Sequence, residues 1–329
     1  MPVVRLDGQN DQMFVPDASI LDGTTGITFY AVIRPHNLDN KPRGILGKRI
    51  SFGTAKDYAY TWFFYNQNRL YNDVVHSNNR YHTGSTTFVN DTNYILCFDF
   101  DGTLPTNERC HMRSGSELVV TARESSTELL NSAQDITIGA LNRDYGKYLG
   151  ADYAEIIHFN YALNPVEHIM VQNYLAAKYD IDMPNNDIYS GDDAGNGDYD
   201  HDVAGFGRIS ATAYTDNAQG SGNLRILNPT NLDDDEYLFW GHNNGADSTT
   251  ELSDVPAGIN SRFGMVWSVS EVSSAGNPVD VGNIDLHFDL TGFGPVNASD
   301  LYLLVDSDSD DTFADETPIG GATDLGGNV

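Results

Sequence analysis

The sequence predicts an all-β protein made of two β-sandwich domains, with one helix closing the first. Three observations predict it. Up to about residue 182, short apolar and aromatic runs alternate with turn residues, as the strands of a sandwich do. A single stretch, from Pro165 onward, carries helical periodicity. Beyond a cluster of Pro, Gly, Asn and Asp in MPNNDIYSGDDAGNGDYDHD, further strand patterns follow with no helical pattern among them. At 329 residues the chain exceeds the size at which one core keeps growing, so two domains, 1–182 and 183–329, are expected.

In order, residues 3–8 read as the first strand, GITFYAVIRPHN (26–37) as the second and GILGKR (44–49) as the third. Tyr58, Tyr60, Trp62 and Phe64 alternate along one face of the next strand. Alternation of this kind is the usual inward pattern, although outer members could instead form a stacking platform for a sugar or an aromatic side chain. Residues 71–75 read as a strand running into the polar loop HSNNRYH. Cys97 and Cys110 flank the turn DGTLPTN, which leaves open a cross-strand disulfide or two buried thiols. Residues 153–159 form a strand that Asn160 closes. Asn164 then suits an N-cap, Pro165 the first helical position and Glu167 the third residue of a capping box. Val166, Ile169, Met170, Tyr174 and Ala177 share one helical face, the spacing of a helix laid on a sheet. In the second part, residues 236–243, 263–272, 283–290 and 300–307 read as strands.

The strand, tight turn and amphipathic helix of DYAEIIHFNYALNPVEHIMVQNYLAAKYDI resemble the closing segment of bacterial laminin-G-like, concanavalin-like jelly-roll domains, and the opening strands resemble that family's first three. The resemblance implies that 1–182 is a concanavalin-like jelly-roll β-sandwich with one C-terminal helix. That lectin-like fold hosts lectins, adhesins and glycanases, so it specifies architecture more than activity. Residues 183–329 resemble a β domain that follows laminin-G-like domains in bacterial surface proteins, on DVAGFGR, the FWG strand and LYLLVDSDSDDTF. This implies a second, smaller β-sandwich and a cell-surface location.

With 47 acidic against 18 basic residues the formal charge is −29, the wrong sign for nucleic acid and for anionic membrane surfaces. No apolar run approaches membrane-spanning length, so no membrane insertion is expected. The absence of a secretory signal and the Gly-rich end read as a monomeric fragment of a larger exported protein. Such an Asp excess has two ordinary explanations, a solvated surface for salty water or carboxylates held as ligands for calcium.

Calcium takes six to eight hard oxygens, and alternate carboxylates in a curled loop converge on one point. Asp306, Asp308 and Asp310 in VDSDSDDTFADE have that spacing and resemble the first half of an EF-hand loop. Asp311 stands in place of the turn glycine and Thr317 in place of the closing Glu, for which Asp315 or Glu316 could substitute. A second acidic run, with Asp198, Asp200 and Asp202 as candidate ligands, has Gly195 and Gly197 to permit tight turns. His76 and His82 lack a third transition-metal ligand at recognisable spacing.

Loops at the rim of a sandwich carry most recognition. Asn72, Asp73, Asn78, Arg80, Tyr81 and His82 form one candidate ligand-contact cluster, and Asp144 and Tyr145 in LNRDYGKYLGADYAE form a second edge. No strand carries the paired carboxylates of a retaining glycanase, and no Gly-x-Ser-x-Gly elbow, H-E-x-x-H or phosphate loop occurs. The expectation is a non-enzymatic, calcium-dependent module of a bacterial surface adhesin, of the kind found in repeats-in-toxin adhesins, binding a peptide or a glycan on target cells. The alternatives are a calcium-stiffened spacer and a glycan-active enzyme.

Overall fold

The computed structural model describes residues 2–49, 58–74, 82–246, 251–293, 296–326 and 329. The chain forms two compact units, Met1–Asn164 with Tyr179–Asp187, and Pro165–Lys178 with Ile188–Val329.

The first unit is a jelly-roll-like β-sandwich of two antiparallel six-stranded sheets. One sheet has the order β1 (Val4–Asp7), β12 (Gly150–Phe159), β3 (Gly26–Pro35), β8 (Tyr94–Asp101), β9 (Cys110–Ser114) and β10 (Glu117–Ala122). The other has the order β2 (Met13–Val15), β11 (Ile136–Ile138), β4 (Arg43–Arg49), β5 (Tyr58–Tyr65), β6 (Arg69–Val74) and β7 (His82–Thr83). The core lies between them. Ile27, Phe29, Ala31 and Ile33 of β3 and Leu96, Phe98 and Phe100 of β8 meet Tyr60, Trp62 and Phe64 of β5 and Leu70 and Val74 of β6. Period-two alternation puts each set on one face, and full burial of each large side chain contributes about 1.5–3 kcal/mol. Of the alternating aromatics of β5, Tyr60, Trp62 and Phe64 are therefore core, with Phe29 and Tyr60 rings 5.2 Å apart, and the side chain of Tyr58 lies outside what is described.

Cys97 and Cys110 are both free and buried. In the β8–β9 register Cys97 stands opposite Arg113 and Cys110 opposite Phe100. Three positions of stagger send the two thiols to opposite faces, Cys110 into the core and Cys97 toward Asp99, so no bond can join them. Burial, the largest cause in each case, pushes both thiols up, Cys97 far beyond the ordinary range.

The second unit is smaller and layered. A four-stranded sheet, β14 (Ala213–Thr215), β13 (His201–Ser210), β17 (Glu236–His242) and β18 (Trp267–Ser273), packs Ala204, Phe206, Leu238 and Trp240 against Leu224, Ile226, Leu286 and Phe288 of a three-stranded sheet. The latter comprises β15 (Asn217–Gln219), β16 (Leu224–Leu227) and β19 (Asp285–Phe288). On the other face of the four-stranded sheet, Val203, Tyr237 and Phe239 meet Ile169 and Ala177 of helix α1 (Pro165–Tyr179), with Met170 and Tyr174 alongside. The expected helical face is the one that packs. A boundary at 182 would assign this helix to the first domain, whereas the compact units assign it to the second. The Asn173 side-chain oxygen accepts the N–H groups of Ile188 at 2.9 Å and Tyr189 at 3.0 Å, tying the helix to its own unit.

Residues 300–307 do not form the strand expected of them. Asp300 ends a 3-10 turn, only Leu303 forms a bridge, with Ile319, and Tyr302 and Val305 stay exposed. An alternating run without a partner strand has neither a ladder to complete nor a face to bury.

Candidate ligand-binding face and acidic loop

Successive residues of β4 point to opposite faces of its sheet. Lys48 is on the core side, paired with Ile136 of β11, and Arg49 is on the outer side with Thr137. Gly44, earlier in β4, brings residues 140 and 141 against the strand. A Cβ at Gly44 would stand 2.0 Å from the Ala140 carbonyl carbon and 2.1 Å from the Leu141 nitrogen, closer than any backbone tolerates. Loop 141–146 is thereby pinned beside the outer face. It is fixed further by Asn142, whose side-chain oxygen accepts the N–H groups of Asp144 at 3.0 Å and Tyr145 at 2.7 Å.

The result is a concavity of about 290 Å³ lined by Arg49, Ala133, Gln134, Asp135, Thr137, Arg143 and Asp144. Arg49 is 2% exposed and its Nη1 donates to Thr61 Oγ1 at 3.3 Å. Arg143 is exposed, 3.4 Å from Asp135 and 4.6 Å above the Phe14 ring. Guanidiniums, carboxylates, an amide and a hydroxyl thus face one space, the mixture of donors and acceptors that orients a polar ligand.

The sequence-derived ligand residues are dispersed around this picture. Asp144 lines the concavity, and Tyr145 is exposed beside it with Lys147 Nζ 4.8 Å over its ring. Asn72 and Asp73 are buried on opposite faces of β6, Asn72 alternating with the core residues Leu70 and Val74. His82 is tied by Nδ1 to Asn72 Oδ1 at 2.8 Å and by Nε2 to the Arg123 carbonyl at 2.9 Å. Asn78, Arg80 and Tyr81 lie outside the described residues. Arg49, Thr137, Gln134 and Asp135 were not singled out by sequence. The available signal was the position of Arg49 at the end of a strand whose preceding residue, by alternation, faces inward.

A second concavity, about 240 Å³, is lined by Val3, Val32, Ile33, Arg34, Asn93, Asp152 and Ala154. Its carboxylate is committed: Asp152 accepts two bonds from Arg5, at 2.6 and 2.7 Å, and lies 3.1 Å from His36 Nε2. The hydrogen bond from Arg5, first among the causes, holds the Asp152 carboxyl below its ordinary range.

In the second unit, Asp306, Asp308 and Glu316 bring one oxygen each within 4.8 Å of one another, and Asp308, Asp310 and Asp315 do the same. The loop curls because the Asp306 carboxylate accepts the N–H groups of Ser309, Asp310 and Asp311, at 2.7, 3.3 and 3.0 Å. Asp311 takes φ 66°, the left-handed conformation for which an EF-hand uses glycine. Neighbouring charge, Asp310 first, pushes the Asp308 carboxyl above its ordinary value. Hard oxygens crowded around a shared carboxylate suit a calcium-class cation.

The run with Asp198, Asp200 and Asp202 is not brought to one point among the described residues. Asp200 engages His201, and Asp202 engages Ser221 and, at 2.9 Å, His242 Nε2. The Ser221–Asp202–His242 line has its carboxylate in the middle, and His242 Nδ1 accepts the Asn244 N–H at 3.0 Å. The imidazole therefore has no nitrogen to serve Ser221 as a base, unlike a nucleophile–base pair.

A family model described as "Domain of unknown function (DUF8202)" matches residues 167–327, nearly the span of the second unit. No curated protein matches the chain. Among solved structures, the CBM40 of the Ruminococcus gnavus IT-sialidase, bound to α2,3-sialyllactose, is similar with 8% identity and a TM-score of 0.41, over 50% of this chain and 92% of that one. A heptameric SAP-like pentraxin from Limulus polyphemus has 11% identity and a TM-score of 0.36, over 51% and 84%. Trypanosoma rangeli sialidase in complex with sialic acid has 10% identity and a TM-score of 0.37, over 49% of this chain and 26% of that one.

Proposed function

We propose that the chain is a non-catalytic, glycan-binding module of a bacterial surface adhesin, that its ligand seats on the outer face of the second sheet, and that the acidic loop of the second unit takes calcium. The observation that carries the ligand reading is the lining of the 290 Å³ concavity. A sugar hydroxyl both donates and accepts, so a polyol is matched by Arg donors, Asp acceptors and the bifunctional Gln134 and Thr137 together. An apolar peptide side chain would need an apolar wall, and Ala133 alone provides one. The candidate loops taken from sequence mix Arg, Asn, Tyr and His more than they expose bare Trp, which favours peptide slightly; this lining favours glycan.

The test is binding of the labelled full chain to a combined glycan and peptide array in millimolar calcium and again in EDTA, with Arg143→Ala as the site variant. Arg143 is an exposed side chain, so its loss should leave the melting temperature unchanged. It should weaken glycan binding about tenfold, the equivalent of roughly 1.4 kcal/mol. Equal glycan binding by the variant would remove the concavity from the argument. Selective peptide signal would move the ligand class, and silence in both buffers would favour the calcium-stiffened spacer.

A further inference from the structure

Lys48 is a lysine held away from water. Its side chain is fully buried, with Nζ 2.6 Å from Asp17 Oδ1 and 2.5 Å from Asp22 Oδ1. Lysine normally keeps its ammonium hydrated while its methylenes lie along apolar surface. Here the surroundings are core: Lys48 pairs in register with Ile136 and Tyr60, and the Tyr60 hydroxyl donates to the Leu21 carbonyl at 3.1 Å, the residue before Asp22. The two acids differ. Asp22 is 13% exposed and Asp17 is 35% exposed, so one is enclosed while the other reaches solvent.

We propose that Lys48 and Asp22 condense into an isopeptide bond, with Asp17 as the proton carrier. Transfer of the ammonium proton within the cluster leaves a neutral amine beside a carboxylic acid. The amine lone pair attacks Cγ of Asp22 and an N–C bond forms. Asp17 then takes a proton from the attacking nitrogen and hands it to the Asp22 hydroxyl, whose C–O bond breaks to release water. One amine and one carboxylic acid give one amide and one water, so no oxidant, reductant or cofactor is required. The fold supplies the proximity that makes such a step effectively unimolecular. Enclosure favours a neutral amide over a buried charge that has lost its hydration. His158 lies on the same apolar side, its ring 4.7 Å from Phe29, and burial, then the Lys48 charge, lowers its imidazole to about 4. Condensation would remove that charge and let the imidazole rise.

Mass spectrometry of the denatured full chain tests the proposal. The expected intact mass is one water below the sequence mass, with a proteolytic product joining the Lys48 and Asp22 peptides; Lys48→Arg restores the full mass. Asp22 precedes Gly23, where a backbone succinimide loses the same water, and mild alkali separates the two because it reopens the imide and leaves the amide. A loss reversed by alkali would overturn the proposal. So would the full sequence mass together with amine labelling of Lys48 after denaturation, which leaves an ion pair only. A product joining Lys48 to Asp17 would overturn the assignment of roles.

Discussion

Two groups of carboxylates in this chain differ in whether the fold itself supplies a cation to them. In the first unit Asp17 and Asp22 converge on Lys48, which the strand itself carries into the core as a cation before any condensation with Asp22. In the second unit Asp306, Asp308, Asp310, Asp315 and Glu316 converge with no such side chain among them. From Ile188 onward the only basic residues besides histidine are Arg208, Arg225 and Arg262. Arg208 engages Asp234, Arg225 donates to Asn217 and Arg262 engages Asp254. The difference teaches where a strongly acidic chain needs something from outside. A cluster with its own cation is complete when folded, whereas one without it gains by capturing a cation, and its stability then depends on the solution.

Removing the built-in cation should have the largest effect. Lys48→Met keeps most of the apolar volume and leaves Asp17 and Asp22 facing each other beside the core. Where the three groups are still ionised, taking away one partner of a buried ion pair costs about 3–5 kcal/mol, toward the low end here because Asp17 reaches water. Urea unfolding at neutral pH reads it directly. A midpoint equal to that of the unaltered chain would break the comparison on its first side.

The second side is tested by removing divalent cations. Millimolar calcium should raise the melting temperature of the full chain and EDTA should lower it again, with a gain that grows with the logarithm of calcium concentration. Asp308→Asn, at the carboxylate both groups share, should abolish most of that gain, whereas Asp198→Asn should leave it intact. Calorimetry in the two buffers distinguishes these outcomes. A melt indifferent to calcium would leave the acidic loop a solvated turn.

A built-in cation also acts on its neighbours. With its imidazole lowered from 6.5 to about 4, by burial first and by Lys48 second, His158 stays neutral in the folded chain where the unfolded chain already binds a proton. The unfolded state therefore holds more protons between those values, and stability falls as pH drops from 6.5 toward about 4. His158→Phe should flatten that part of the stability profile. In Lys48→Met the imidazole should titrate closer to its ordinary value, which an NMR pH series of the ring protons measures. An unchanged titration would mean that burial alone sets it, as it does once Lys48 has condensed with Asp22 and lost its charge.

How much of this was legible in the sequence depends on the range of the interaction. Strand and helix faces were legible because they are local: the alternation of Tyr60, Trp62 and Phe64 and the spacing of Ile169 and Ala177 name the side that is buried. What covers a face is not local. Periodicity marks the apolar side of α1 without saying that Val203, Tyr237 and Phe239 meet it. The concavity proposed to seat a ligand is less legible still. Arg49 and Thr137 become neighbours only because β4 pairs with β11, and loop 141–146 joins them because Gly44 lets it approach. The clustering of carboxylates in the acidic loop was legible because they lie within one short segment. Residues 300–307 misled for the opposite reason, since an alternating run does not declare whether a partner strand exists.

The smallest expected effect is the one that opposes intuition. In EDTA the carboxylates of the acidic loop have only one another, and Asp308 is pushed above its ordinary value by Asp310, Asp315, Asp306 and Glu316. A carboxyl raised in the folded state binds its proton more tightly there than in the unfolded chain. Its ionised form therefore destabilises the fold above that range and the penalty disappears as pH falls below it. Asp308→Asn should accordingly raise the melting temperature slightly in EDTA at neutral pH, although it lowers it in calcium. The loop is exposed, so salt should shrink the gain. This crossing of sign between buffers separates a cation site from a merely acidic turn. An acidic turn would benefit from the substitution in both buffers, and a carboxylate fixed by hydrogen bonds alone would suffer in both.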